Sequence, residues 1–248
     1  MKKLALLFAF LPVAALAQAP AANPPPKPEL TEIWSPVPPK VEPGQRPGDA
    51  PSDAIILFNG KDLTGWESAK GGPAGWGIEN GELVDQPKAG DIRTAQKFGD
   101  IQLHVEWMVP VLPPDRKGQD RGNSGIYLQG LYEVQVLDSY DNPTYVNGEA
   151  GAIYKQAAPL VNALKPAPNW QAYDIVYYAP RFYADGSVAE PVRVTVFLNG
   201  VLVQNNFAIK GPTEFRGMPV YHAHGDGPLL LQAHNNPVRY RNLWVRKL

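Results

Sequence analysis

From residue 102 onward, apolar and polar residues alternate in strand-length runs. In Gln102 to Met108 (QLHVEWM), Leu103, Val105 and Trp107 fall on one side and Gln102, His104 and Glu106 on the other. That period of two is what a strand with one buried face needs. Gly125 to Asp138 carries two such runs split at Gly130, with Tyr132, Val134 and Val136 opposite Glu133 and Gln135. Gln171 to Tyr178, Val192 to Leu198, Leu229 to Gln232 and Arg239 to Arg246 predict further strands. Asn199-Gly200 followed by VLVQN predicts a tight hairpin, because both residues tolerate the positive φ of a type I′ turn. No long apolar run repeats every 3.6 residues; Ala157 to Leu164 allows one short helix or turn. Many short strands punctuated by turns predict an all-β sandwich or barrel.

Composition changes the picture at the N-terminus. Of 27 prolines, 12 lie in residues 1–51, although the chain has 248 residues. Lys2 and Lys3 precede an apolar run, Leu4 to Leu16, of signal-peptide rather than membrane-spanning length. Small residues follow at cleavage-site spacing, as Ala15-Leu16-Ala17 or Ala17-Gln18-Ala19. We therefore expect a signal peptide over 1–19, a proline-rich disordered spacer over 20–51 and a folded domain over 52–248. The absence of cysteine excludes disulfides, thiolate metal sites, cysteine nucleophiles and a lipid-anchored cysteine. The expectation is an exported protein, periplasmic or extracellular, with no membrane association in its mature form. A formal net charge of −1 excludes attachment to nucleic acid by bulk charge.

Three stretches hold candidate chemistry. Arg121-Gly-Asn-Ser-Gly125 suits a tight turn with exposed donors at Asn123. In Tyr132 to Asp138, Glu133 and Gln135 stand two apart, about 7 Å along one sheet face, the span of a sugar ring. Between 231 and 242, Gln232 and His234 share a face if the strand persists, with Arg239 and Arg241 on the return. Alternation alone describes a solvated face equally well, and His104, Glu106, Glu133 and Gln135 fit that reading too. His222 and His224 have the spacing of two metal ligands, but their glycine- and proline-rich surroundings favour a surface loop. No Ser-His-Asp order, phosphate loop or nucleotide fingerprint is evident.

The run Ile56-Leu-Phe-Asn-Gly-Lys-Asp-Leu-Thr-Gly-Trp66 resembles the N-terminal signature of the 3-keto-disaccharide hydrolase family, whose members are also described as 3-keto-glucoside lyases and 3-keto-glucal hydratases. The likeness continues through Trp76 to Leu83, Arg121 to Gly125, Tyr132 to Ser139, Gly151-Ala-Ile-Tyr154 and Asn199-Gly200, ending at Asn236 to Asn242. It implies a concanavalin A-like, laminarinase-like jelly-roll sandwich of two antiparallel sheets with a site on one sheet face. It also implies a catalytic domain that cleaves 3-keto-glycosides by elimination, net hydrolysis or both. On that chemistry Glu133 and His234 are the expected base and acid, in either order. Arg121, Asn123 and Gln135 would hold hydroxyls or an enolate, with Gln232, Arg241, His104 and Glu106 as further substrate contacts. No cofactor is required, and a divalent metal held by histidine and carboxylate is an alternative to a protein cation. The expected ligand is an oligosaccharide or glycoside. The sequence departs from the family pattern at Ala233, where an acidic neighbour of the histidine is expected. Two competitors are a non-catalytic carbohydrate-binding domain, with Trp66, Trp76 or Tyr127 stacking on sugars, and a conventional glycosidase, which Gln135 disfavours by standing where a second carboxylate would be needed.

Overall fold

A computed structural model of the protein describes residues 27–86 and 88–248. The expected signal peptide, 1–19, and the first residues of the spacer lie outside the described residues. Chain contacts divide the protein into two units, Met1–Lys40 and Val41–Leu248. The described part of the first holds one short 3-10 turn, Pro28–Thr31, and exposes Leu30, Ile33, Trp34 and Val37. The second unit begins at Val41 rather than at the expected Ser52. Glu42 and Ser52 exchange two hydrogen bonds, and the Gly48 carbonyl accepts from Asn242 Nδ2 and Trp244 Nε1, each at 2.9 Å. Composition misses this docking because its anchors are backbone groups, which a proline-rich segment still supplies without an apolar pattern.

Among the described residues fifteen strands follow: β1 (Ile55–Phe58), β2 (Trp66–Ser68), β3 (Gly77–Glu79), β4 (Glu82–Val84), β5 (Ile92–Phe98), β6 (Ile101–Met108), β7 (Ser124–Leu128), β8 (Tyr132–Val136), β9 (Gln171–Tyr178), β10 (Arg181–Phe182), β11 (Val188–Glu190), β12 (Arg193–Leu198), β13 (Val201–Ala208), β14 (Gly227–Leu231) and β15 (Arg239–Lys247). The larger sheet runs β13-β12-β9-β6-β15-β4-β3, with β1 also paired to β15; the smaller runs β2-β5-β14-β7-β8. A separate ribbon joins β10 and β11. All of these pairings are antiparallel. The protein is thus an all-β, two-sheet antiparallel sandwich, as the sequence predicts.

The core lies between the sheets. Leu103, Val105 and Trp107 from β6, with Tyr173, Ile175 and Tyr177 from β9, pack in one hydrophobic cluster with Ile126, Leu128, Tyr132, Val134, Val136 and Leu231. These are the inward positions that the alternation marks. Buried tyrosines tie the layers through their hydroxyls: Tyr173 donates to the Gln135 carbonyl at 2.7 Å, and Tyr177 to Gln129 Oε1 at 2.8 Å. A large apolar ring can be buried because its polar tip finds a partner.

The hairpin at Asn199-Gly200 forms as expected, with φ values of 53° and 80°. Ala157 to Leu164 contains no helix. The pattern did not mark β1 to β5. Four of them have three or four residues, too few for a period of two to register, and β5 loses its alternation at three consecutive exposed positions.

Candidate functional site

The candidate site grows from the outer face of the smaller sheet. Strands β7 and β8 pair with Tyr127 opposite Glu133 and Gly125 opposite Gln135. Since Ile126, Val134 and Val136 face the core, these four positions face outward. Strand β8 ends the sheet, and its free edge is held by the next loop. Gln135 N donates to the Ala152 carbonyl, Gly151 N to the Gln135 carbonyl and Tyr154 N to the Glu133 carbonyl, at 3.0, 3.0 and 3.2 Å. Thr213 Oγ1 accepts from Glu133 N at 2.9 Å. Both outward side chains therefore stand on a backbone fixed from either side.

Above them lies a cavity of about 580 Å³. Its wall adds Gln119, Asn123, Tyr145, Tyr154, Thr213, Phe215, Gln232 and His234. Glu133 is the sole carboxylate among these lining residues, and His234 the sole imidazole. Glu133 is only 2% exposed. Burial pushes its carboxyl up to about 8, against the opposing pull of the Tyr127 hydroxyl, which donates to Oε2 at 2.8 Å. Gln232 Nε2 donates in turn to that hydroxyl at 3.2 Å. A carboxyl that titrates near neutrality inside a cavity is suited to proton transfer.

Gly125 gives Glu133 its room. A Cβ there would meet Glu133 Cγ and Cδ at 3.0 Å, and would press on Oε1 more closely still. Gly125→Ala should therefore displace the carboxyl while leaving the sheet intact. We expect kcat to fall about 10- to 100-fold, the cost of misplacing a reacting group by roughly 1 Å. Steady-state kinetics beside far-UV circular dichroism check this, and an unchanged kcat rejects a positional demand on Glu133.

Side-chain amides line the other end. Gln135 Nε2 donates to Asn123 Oδ1 at 3.1 Å and to the Val136 carbonyl at 3.2 Å; Asn123 Nδ2 donates to the Gln119 carbonyl at 2.7 Å. On the aromatic wall Tyr145 and Tyr154 share a hydroxyl–hydroxyl bond of 2.6 Å. Lys155 Nζ sits 4.3 Å from the Phe215 ring centroid and donates to that residue's carbonyl. His234 is fixed through its backbone, which donates to Asp85 Oδ2 at 3.3 Å. Burial pushes the Asp85 carboxyl up to about 7. Ala233 N bonds to Asp91 Oδ1 at 2.9 Å, so acidic groups from elsewhere in the chain brace the stretch where the family pattern places an acid.

The structure brings together Glu133, Gln135, Asn123, Gln232 and His234 from the sequence reading. It does not bring Arg121, His104, Glu106 or Arg241 to them. Arg121 turns into a neighbouring depression of about 690 Å³ and pairs with Asp138 at 2.8 Å. His104 and Glu106 lie on β6, in the other sheet, outward of the core. There His104 Nδ1 pairs with Asp174 at 2.7 Å, Arg241 Nε with Glu106 at 2.6 Å, and Arg241 stacks over Trp170 at 4.0 Å. Alternation tells inward from outward but not one outer face from the other, and the two outer faces of a sandwich point opposite ways. Trp66 and Trp76 are core residues, with their indole N–H groups bonded to the Leu57 and Gly90 carbonyls. Only Tyr127 of the three suggested stacking residues reaches the cavity.

His222 is exposed, whereas His224 bonds Tyr132 and packs edge-on to Phe182. No group of three or more His, Asp or Glu side chains with metal-holding geometry occurs among the described residues. Sequence reasoning missed Gln119, in a single 3-10 turn (Gly118–Asp120), and Tyr145, Thr213 and Phe215, in irregular loops; none of these has a period to betray it. Tyr154 had a signal, as the last residue of the Gly151-Ala-Ile-Tyr154 motif.

The chain is similar to known proteins over nearly all of the compact unit. The 3-keto-alpha-glucoside-1,2-lyase-like domain matches residues 53–246. A crystal structure of a candidate glycosyl hydrolase from Parabacteroides distasonis is 52% identical, with a TM-score of 0.84, covering 90% of this chain and 97% of the other. A second candidate glycosyl hydrolase from that organism, 23% identical with a TM-score of 0.58 over 79% of this chain and 94% of its own, shares the fold. No curated protein matches the chain.

Proposed function

This chain belongs to the 3-keto-alpha-glucoside-1,2-lyase-like domain family, and from that premise we propose that the cavity over β7 and β8 cleaves 3-keto-glycosides by elimination across C1 and C2. The observation that carries the reading is the solitary carboxylate, Glu133, in a cavity that also holds one imidazole. Hydrolysis of an ordinary glycoside by the two-carboxylate routes needs a second acid 5 to 10 Å away, roughly. The position two residues along the strand offers Gln135 instead. A 3-keto sugar needs less, since its ketone acidifies the proton on C2.

The step balances with the residues present. Ionised Glu133 takes the C2 proton, and the electron pair moves into C2=C3 with negative charge on the C3 oxygen. That enolate reverts to the ketone as C1=C2 forms and the C1 substituent departs. The leaving oxygen takes a proton, for which His234 is the available donor. Water adding later across the double bond gives net hydrolysis. Tyr127 holds Glu133 by its hydroxyl, and Tyr145, Tyr154 and Phe215 offer faces to the sugar ring. With the guanidinium of Arg121 turned away, the enolate depends on hydrogen-bond donors such as Gln232 and His234. Glu133 and His234 supply two ligands at most to a divalent cation. Export through residues 1–19 would deliver the enzyme to glycosides in the periplasm or outside the cell.

The test offers 3-keto-trehalose and 3-keto-sucrose beside the unoxidised sugars, with and without chelator. We expect turnover of the 3-keto forms at least about 100-fold above their parents, since only they have an acidified C2 proton. Faster cleavage of the parents would replace this reading with a conventional glycosidase. Saturable binding without product would replace it with a carbohydrate-binding domain.

A further inference from the structure

Lys155 holds a backbone conformation that lysine rarely takes, with φ of 58°. Asparagine fills most of the other non-glycine positions with positive φ, as Asn80, Asn199, Asn206, Asn235 and Asn242. The short amide of asparagine supports that conformation by local hydrogen bonds, which a lysine does not offer. Glycine would adopt it without strain. What lysine adds at this position is its ammonium. Nζ lies 4.3 Å from the ring centroid of Phe215, 5.6 Å from that of Tyr145 and 5.8 Å from that of Tyr154, and it donates to the Phe215 carbonyl at 2.8 Å. A cation within about 6 Å of a ring centroid is attracted by the negative face of the ring. All three rings line the cavity over β7 and β8, and Lys155 is not part of that lining. The rings come from three separate stretches of chain. Tyr154 ends the loop on the free edge of β8. Tyr145 precedes the 3-10 turn Val146–Gly148, in which the Asn147 carbonyl accepts from Lys155 N at 2.7 Å. Phe215 follows Thr213, which is bonded to the backbones of Leu131 and Glu133. Beyond that anchor, among the described residues, the bond from Lys155 is the one hydrogen bond to the stretch 214–220. Phe215 is 62% exposed, so little packing fixes its ring otherwise.

We propose that Lys155 is a positioning residue for ligand binding: its ammonium clamps Tyr145, Tyr154 and Phe215 into one wall, and that wall holds the bound glycoside. The inference deepens the proposed function and rests on it for the ligand being a glycoside. The clamp acts through the rings and touches no reacting atom. An interaction that holds substrate and transition state alike shows in KM and leaves kcat unchanged. Lys155 and Glu133 therefore differ in signature: loss of the clamp weakens binding, and loss of the base slows turnover.

The experiment measures kcat, KM and melting temperature for Lys155→Met, Lys155→Arg and Lys155→Gly on a 3-keto-glycoside. Methionine keeps most of the length and removes the charge, so KM should rise about 10-fold, with kcat within about 3-fold of the unmodified protein. Arginine keeps a cation and a donor, so Lys155→Arg should restore KM to within about 3-fold. Lys155→Gly separates the clamp from general stability. Glycine suits a φ of 58°, so its melting temperature should stay close to that of the unmodified protein while KM rises as in Lys155→Met. Either of these two variants answers the question if the other does not fold. Turnover with KM unchanged in them overturns the clamp and leaves the proposed function standing. So does a loss confined to kcat, or a KM that rises only where the melting temperature falls. If no 3-keto-glycoside is turned over, calorimetric binding of the parent glycoside gives the same comparison. Affinity weakened in Lys155→Met and Lys155→Gly and restored in Lys155→Arg supports the clamp while the lyase reading fails, and equal affinity in all overturns the clamp. No binding to any of them overturns both.

Discussion

Glu133→Gln is expected to lower kcat/KM on a 3-keto-glycoside by about 10²- to 10⁴-fold, the usual contribution of a positioned general base. Glutamine has nearly the same shape, and its carbonyl still accepts from Tyr127, so binding should change little and the loss should fall on kcat. The pH profile separates the roles of Glu133. With its carboxyl at about 8, activity rises with pH through that value if the ionised form is the base. It falls through the same value if the protonated form is the acid. Stability supplies an independent check. Because the folded value lies above the unfolded value of about 4.5, the native state holds the proton more tightly. This contribution is intact below pH 4.5 and is lost as pH rises to about 8. At about 1.4 kcal/mol per pH unit, the loss across that interval amounts to a few kcal/mol at most. Denaturant titrations at pH 5 and pH 9 should show wild type losing stability over that interval and Glu133→Gln losing distinctly less. Full activity in Glu133→Gln would remove this residue from the mechanism.

His104→Ala should do the opposite: cost stability and spare chemistry. Burial alone pushes the His104 imidazole down, but the hydrogen bond to Asp174 and the negative charge of Glu106, 3.7 Å from Nε2, outweigh it and hold the value at about 9. Glu106 is held down, at about 2, chiefly by His104, with Asn242 and Arg241 assisting. Trp244 stacks on the histidine with ring centroids 5.4 Å apart, and the docked Gly48 covers the group. Removing a charged, buried partner from such a group costs about 3–5 kcal/mol. Asp174 is 47% exposed, so solvent screens part of this, and we expect about 2–3 kcal/mol. The folded value lies above the unfolded 6.5, so the ionic stabilisation is complete below pH 6.5 and disappears as pH rises through about 9. The gap between wild type and His104→Ala should therefore narrow from pH 6 to pH 9.5. A gap that does not move with pH rejects the ionic account and leaves only lost packing. A large fall in kcat with the fold intact would return His104 to the site.

These two residues show how far the sequence could be read. His104 and Glu133 each stand opposite buried neighbours in an alternating strand, and both were legible as outward and ionisable. The difference between them is tertiary. One outer face is capped by a proline-rich segment through backbone bonds, and the other is walled by irregular loops, and neither cover follows a local period. Arg121 misled for a related reason. A turn residue beside a site strand has no face to which alternation can assign it, and Asp138 decided its direction. Glu133, Gln135 and His234 were legible as candidates because they sit in or beside patterned strands within long family motifs. The aromatic wall was not, except at Tyr154.

The loop that crosses the free edge of β8 has a consequence for how this site can change. An uncovered terminal strand is a template for another chain, and folded proteins guard such edges. Here the guard, Gly151 to Tyr154, is bonded to the backbones of Glu133 and Gln135 and ends in a residue of the aromatic wall. In the proposed reading, a wall of the sugar site and the guard of the sheet edge are therefore the same few residues. A laboratory library that randomises 151–154 should lose soluble protein faster than it gains new specificities.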